Sequence, residues 1–126
     1  MQKAQKGFTL IELVVVIVLL GILGVTALAR FQDLSGDAQD AANQGVASEL
    51  SSGSSINYAA RSMDSFAGFP TIGFDCDTIA DDVMISKPTS YLFAVGLPIV
   101  CGASGTTMIC PVSNGGTAAD ATVLCI

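Results

Sequence analysis

The run Phe8–Ala29 contains one charged side chain, Glu12, in an otherwise apolar stretch. At ~1.5 Å per residue a helix over this run is roughly 33 Å long, enough to cross the hydrocarbon of a bilayer. Any fold must therefore place this segment in lipid or bury it against other apolar helices. A carboxylate within such a helix costs on the order of 3 kcal/mol at the membrane centre, so an intramembrane acid points to a function.

Before the run lie Lys3 and Lys6, then Gly7. An export signal also has a basic start and an apolar core, but its small-residue cleavage site follows the core, which is then discarded. Ala27-Leu28-Ala29 has that small-x-small pattern. A carboxylate at the head of the core does not suit a signal, however, and a plausible scissile bond here precedes the apolar run. A permanent single-pass anchor is the other plain reading.

Gly7-Phe8-Thr9-Leu10-Ile11-Glu12, followed by Leu13-Val14-Val15-Val16-Ile17-Val18, resembles the start of a type IV prepilin. The resemblance implies cleavage after Gly7 by a prepilin peptidase and methyltransferase, N-methylation of Phe8, and retention of the apolar helix. That helix would be first a membrane anchor and then the core of a filament, with Glu12 setting assembly register. Over residues 7–42 the chain looks most like pilins of the mannose-sensitive haemagglutinin type, through Gly21-Ile22-Leu23-Gly24-Val25-Thr26, Phe31-Gln32-Asp33-Leu34 and Asp37-Ala38. Those pilins usually carry a proline where this chain has Ala29. Gly21 and Gly24, each costing a helix about 1 kcal/mol relative to Ala, are then its remaining weak points.

From Arg30 the apolar pattern narrows to Phe31, Leu34, Ala38, Ala42, Gly45 or Val46, Leu50, Gly53 and Ile56, at helical spacing. This predicts an amphipathic continuation with that stripe inward. Ser51-Ser52-Gly53-Ser54-Ser55 has poor helix propensity and would end the helix by itself; the resemblance extends it to about Arg61. The expected organisation is a leader at 1–7, an apolar helix at 8–29, an amphipathic helix at 30–61 and a β-sheet head at 62–126. The fold class is α+β, a long N-terminal helix on a small antiparallel sheet of about four strands, with a disulfide-stapled C-terminal region.

Tyr91-Leu92-Phe93-Ala94-Val95 is the clearest strand pattern and Pro98-Ile99-Val100-Cys101 the next. Thr106–Val112 and Thr122–Ile126 read as two further strands around a Gly115-Gly116 turn. The segment between Gly68 and Lys87 has no clear assignment. Cys76, Cys101, Cys110 and Cys125 lack the close pairs of a zinc site, and a small head outside the cytoplasm calls for staples. Of three connectivities, the strand pattern favours Cys76–Cys101 and Cys110–Cys125.

No histidine is present, which removes any His-based triad, and paired cysteines leave no thiol nucleophile. The serines at 48, 51, 52, 54 and 55 read as helix or turn surface. The chain is therefore expected not to be an enzyme and to need no cofactor. Asp75, Asp77, Asp81 and Asp82 are the one oxygen-rich cluster, but Ala80 and Ser86 stand where an EF-hand requires glycine and glutamate. A solvated acidic loop without metal is the expectation, although type II secretion pseudopilins, which share the N-terminal motif, often bind calcium.

The net charge of −6 becomes more negative without the leader, leaving Arg30, Arg61 and Lys87 against eleven acids. Such a surface repels phosphates, so no direct nucleic-acid binding is expected. The resemblance implies a major pilin subunit forming a homopolymeric type IV pilus that supports adhesion or a related function. Its partners would be the processing enzyme, the inner-membrane assembly machinery and the membrane itself. The precursor would lie in the inner membrane and the filament outside the cell. The alternatives are a type II secretion pseudopilin, a minor tip pilin with a binding role, or an anchored exported enzyme.

Overall fold

A computed structural model of the chain describes residues 7–93 and 100–126. Its elements are α1 (Leu10–Met63), α2 (Cys76–Val83), β1 (Leu92–Phe93), β2 (Thr107–Ser113) and β3 (Ala119–Leu124). Two compact units divide the chain at Ser35 and Gly36.

In the first unit the hydrogen bonds of α1 are local among the described residues. Every large apolar side chain from Phe8 to Leu34 is exposed, among them Leu10, Val15, Leu19, Leu23 and Leu28. The helix holds a window long and apolar enough to cross a membrane, with mean hydropathy 2.8 and none of it buried. Thr26 resolves its own polarity by donating its hydroxyl to the Leu23 carbonyl at 2.9 Å, as an isolated polar group in an apolar helix must.

The second unit has a core of its own. Sheet order is β1-β2-β3, antiparallel throughout. Alternation places Met108, Cys110 and Val112 of β2, and Ala121 and Val123 of β3, on the buried face. Ala47 and Leu50 of α1 and Ile79 and Ala80 of α2 complete the cluster with both disulfides. The α+β expectation is met: a long helix packs on a small antiparallel sheet. Three strands are described, joined by bridges from Ile72 to Cys101 and from Asp75 to Val100. Ala94, Val95, Pro98 and Ile99 of the expected strands lie outside the described residues.

The inward face of α1 differs from the apolar stripe. Asn43, Ala47, Leu50, Ser54 and Asn57 are buried at spacings of four and three, whereas Phe31, Leu34 and Ile56 are 73%, 62% and 70% exposed. The reason is unpaired backbone. A hairpin turn and a strand edge face the helix, and buried polar groups there must be hydrogen-bonded. Asn43 donates to the carbonyls of Gly115 at 2.9 Å and Thr117 at 2.8 Å, and accepts from Asn114 N at 3.1 Å. Asp40 accepts from Thr117 N at 2.7 Å, and Asn57 exchanges two bonds with Phe69.

The serine tract follows the same logic. The outer edge of β3 directs the amides of Thr122 and Leu124 at α1, where the hydroxyls of Ser51 and Ser54 accept them at 2.9 and 3.0 Å. Ser51 also donates to the Ala47 carbonyl, and the outward-facing Ser48, Ser52 and Ser55 bond back one turn, which occupies their hydroxyls within the helix; the contacts to β3 accompany its continuation through to Met63. Gly53 is needed because a Cβ there would collide with the Val83 carbonyl at the end of α2.

The disulfides correct the expected pairing: Cys76 bonds Cys110, and Cys101 bonds Cys125. The hairpin register explains why. Cys110 stands opposite Ala121, and Cys125 donates its amide to Thr106. Cys110 and Cys125 are therefore offset by four residues, about 14 Å along a strand, far beyond the roughly 7 Å that a disulfide spans between Cα atoms.

Candidate functional site

Gly7, Phe8, Thr9 and Glu12 come together at the start of α1. Gly7–Thr9 are not helical, and Leu10 opens the first turn. Gly7 is exposed, and among the described residues a Cβ on it would meet nothing within 4 Å; the Gly7–Phe8 bond precedes the helix. Phe8 is 89% exposed. Lys3 and Lys6 lie outside the described residues.

Glu12 is held by Thr9. The Thr9 amide and hydroxyl both donate to Glu12 Oε2, at 2.9 and 2.7 Å, while the Glu12 amide makes a longer 3.4 Å bond to Thr9 Oγ1. This is a capping box, in which a threonine and a glutamate three residues on satisfy each other's free amides at a helix start. A carboxylate there also faces the positive end of the helix dipole. An open apolar cleft of about 260 Å³ adjoins it, lined by Phe8, Glu12, Leu13 and Val16. The sequence reading overlooked Thr9, although the Thr-x-x-Glu pattern before an apolar run was legible as a capping box.

Gly21 and Gly24 lie within unbroken helix further along α1, exposed and with open space around the position of a Cβ. They take no part in the N-terminal cluster.

The acidic segment is not a loop. Cys76–Val83 forms α2, with Asp75 as its N-cap accepting from Thr78 N at 2.9 Å. Hydrogen bonding from the Thr78 side chain and amide holds the Asp75 carboxyl below its ordinary range. Asp77 and Asp81, one turn apart, share the Lys87 ammonium at 2.8 and 3.1 Å. Burial pushes the Lys87 pKa down, but these two carboxylates outweigh it and hold it above the usual lysine value. Among the described residues no group of three or more potential ligands is placed to hold a metal ion.

The family described as the prokaryotic N-terminal methylation motif matches residues 2–28, a span that includes Gly7, Phe8, Thr9 and Glu12. A fimbrial protein of Pseudomonas aeruginosa is 51% identical over 37 residues, 29% of this chain and 24% of that protein. The type IV major pilin protein PilE1 of Neisseria gonorrhoeae is 54% identical over 39 residues, 31% of this chain and 24% of that one. A fimbrial protein of Neisseria meningitidis serogroup B is 54% identical over 39 residues, 31% and 23% of the two chains. The chain thus matches about a quarter of the length of these curated relatives. No solved structure matches it. The chain carries the prepilin N-methylation motif and is homologous over the matched segment to type IV major pilins.

Proposed function

We propose that this chain is the major structural subunit of a type IV pilus, a polymer rather than an enzyme. The observation that carries the reading is the apolar run of α1: all of its large side chains are exposed among the described residues, yet a hydrogen-bonded carboxylate stands at its head. In the bilayer, lipid covers that surface; in a filament, the helices of neighbouring copies do. Transfer from one to the other then need not expose it to water. Homology to major pilins over the matched segment supports the same reading.

Processing follows from the motif. A prepilin peptidase and methyltransferase would cut the exposed bond after Gly7 and methylate the new amine of Phe8 while the subunit sits in the inner membrane. Residues 1–7 are then a leader, 8–29 the membrane and filament-core helix, 30–61 its amphipathic continuation and 62–126 the head. Glu12 supplies register, because the Phe8 amine of a neighbouring copy relieves the cost of its buried charge. The assembly machinery of the inner membrane would extract the subunit, and the finished filament would lie outside the cell in an adhesive or related role.

The test is Glu12→Val. Deleting the acid removes a membrane cost on the order of 3 kcal/mol, so a mere anchor would tolerate or prefer the change. A polymerising subunit should insert and be processed normally yet yield few sheared filaments. Wild-type filament yield from cells making only this variant would overturn the assembly role.

A further inference from the structure

The proposed pairing asks Glu12 to meet an amine from another chain, and the structure shows what the carboxylate does beforehand. Both Thr9 donors converge on Oε2, the amide at 2.9 Å and the hydroxyl at 2.7 Å. Among the described residues Oε1 has no hydrogen-bond partner. We infer that Thr9 is a positioning residue for subunit assembly: it anchors Glu12 through one carboxylate oxygen and thereby presents the other to the incoming amine of a second copy. This inference rests on the polymer reading.

The physical argument is preorganisation. A free glutamate has three rotatable side-chain bonds, and ordering them when the neighbour arrives would subtract from the affinity of the contact. Two bonds to Oε2 set the carboxylate plane before the encounter, leaving Oε1 with its full acceptor capacity. A methylated terminal amine is a secondary ammonium with two N–H groups, so one unoccupied carboxylate oxygen suffices for a charge-assisted bond. The Thr9 hydroxyl also solves the carboxylate's problem in the unassembled subunit. There it provides a local donor, which a charge near lipid otherwise lacks.

The pairing has a helix-capping component as well, and the experiment separates the two. Full-length chains carrying Thr9→Ser, Thr9→Val or Thr9→Asp are expressed without wild-type protein. Sheared filament is then measured per processed, membrane-inserted subunit, with the mature N-terminus verified by mass spectrometry. Serine keeps both acceptor and donor and should assemble as wild type. Valine keeps the shape but loses the hydroxyl, and yield should fall about tenfold or more, the scale expected for a charged-group hydrogen bond. Aspartate can still cap the Glu12 amide but cannot donate to the carboxylate, and it should fail like valine.

If Thr9→Asp assembled like Thr9→Ser, Thr9 would be a helix cap only and the inference would be wrong. Wild-type yield from Thr9→Val would overturn it too. The Glu12→Val chain measured alongside keeps the two levels apart. Loss with Glu12→Val but not with Thr9→Val removes the positioning role alone, whereas normal yield from both removes the assembly reading itself.

Discussion

The two units satisfy their side chains in opposite ways. In the first, apolar residues are plentiful and, among the described residues, none is buried; the helix there is held by its own backbone and by the bonds between Thr9 and Glu12. In the second, the core is small and cystine-rich, and the inward face of the helix bears amides and hydroxyls aimed at backbone. A segment whose apolar surface has no internal partner is built for partners outside the chain. A segment that invests polar side chains in internal contacts is built to keep one shape. On the polymer reading proposed above, the difference assigns association to one unit and conformational uniqueness to the other.

The contrast can be broken most forcefully at the disulfides. Cys76–Cys110 and Cys101–Cys125 close loops with sequence separations of 34 and 24, and each should stabilise the head by about 3–4 kcal/mol. Replacing either pair with serines should lower the head's denaturant midpoint in detergent-solubilised full chain while leaving the helicity of the apolar segment unchanged. An equal loss in both regions would show that they do not unfold independently.

Asn43→Ala is next. It leaves the carbonyls of Gly115 and Thr117 and the amide of Asn114 without their buried partner, a loss of about 2–3 kcal/mol. Hydrogen exchange should accelerate first in the 113–119 turn, and exchange unchanged there would mean that the helix does not hold the turn.

Glycine replacement sharpens the comparison because one chemical change should have opposite signs. Gly21→Ala or Gly24→Ala meets open space and should stabilise the helix by up to about 1 kcal/mol. Gly53→Ala meets the Val83 carbonyl, and the enforced shift should cost about 1–3 kcal/mol net. Thermal melts of the three variants check both signs.

The smallest effect is a pH dependence confined to the head. Because the Lys87 pKa is raised on folding, its contribution is fully present below the ordinary lysine value near 10.4 and is lost as pH rises through the folded value. Asp75, held low, works at the other end: its contribution is present above about pH 3.9 and is lost as pH falls through its folded value. Lys87→Met should flatten the alkaline limb of a stability profile and keep most of the acid limb, which rests first on the Thr78 hydrogen bonds to Asp75 and only last on the charge of Lys87.

What was legible in the sequence follows the same division. The first unit obeys composition, so the apolar length of Phe8–Ala29 and the lone acid within that run could be read directly, as could the hairpin segments around Gly115 and Gly116. The second unit obeys register and backbone pairing, which single residues do not announce. Ser54 was read as surface because polar side chains usually are, and nothing in the local sequence marks Asn43 or Asn57 as buried; only the position of the sheet edge and turn brings all three inward. The cysteine pairing failed because proximity in sequence across a turn does not give alignment, and the four-residue offset between Cys110 and Cys125 depends on where the turn begins. The short helix α2 was hidden because eight residues with three aspartates carry too little periodicity to outweigh their polarity.

The serine hydroxyls along β3 have a consequence beyond helix continuity. An open strand edge is a template for adding another strand, and polymers concentrate many copies of the same edge in a small volume. With Thr122 and Leu124 already bound to Ser51 and Ser54, that edge offers a second copy no free amide at either position. At these two positions the edge is thereby closed to pairing with a further strand, so the bonds that hold the helix on the sheet also oppose cross-β stacking there.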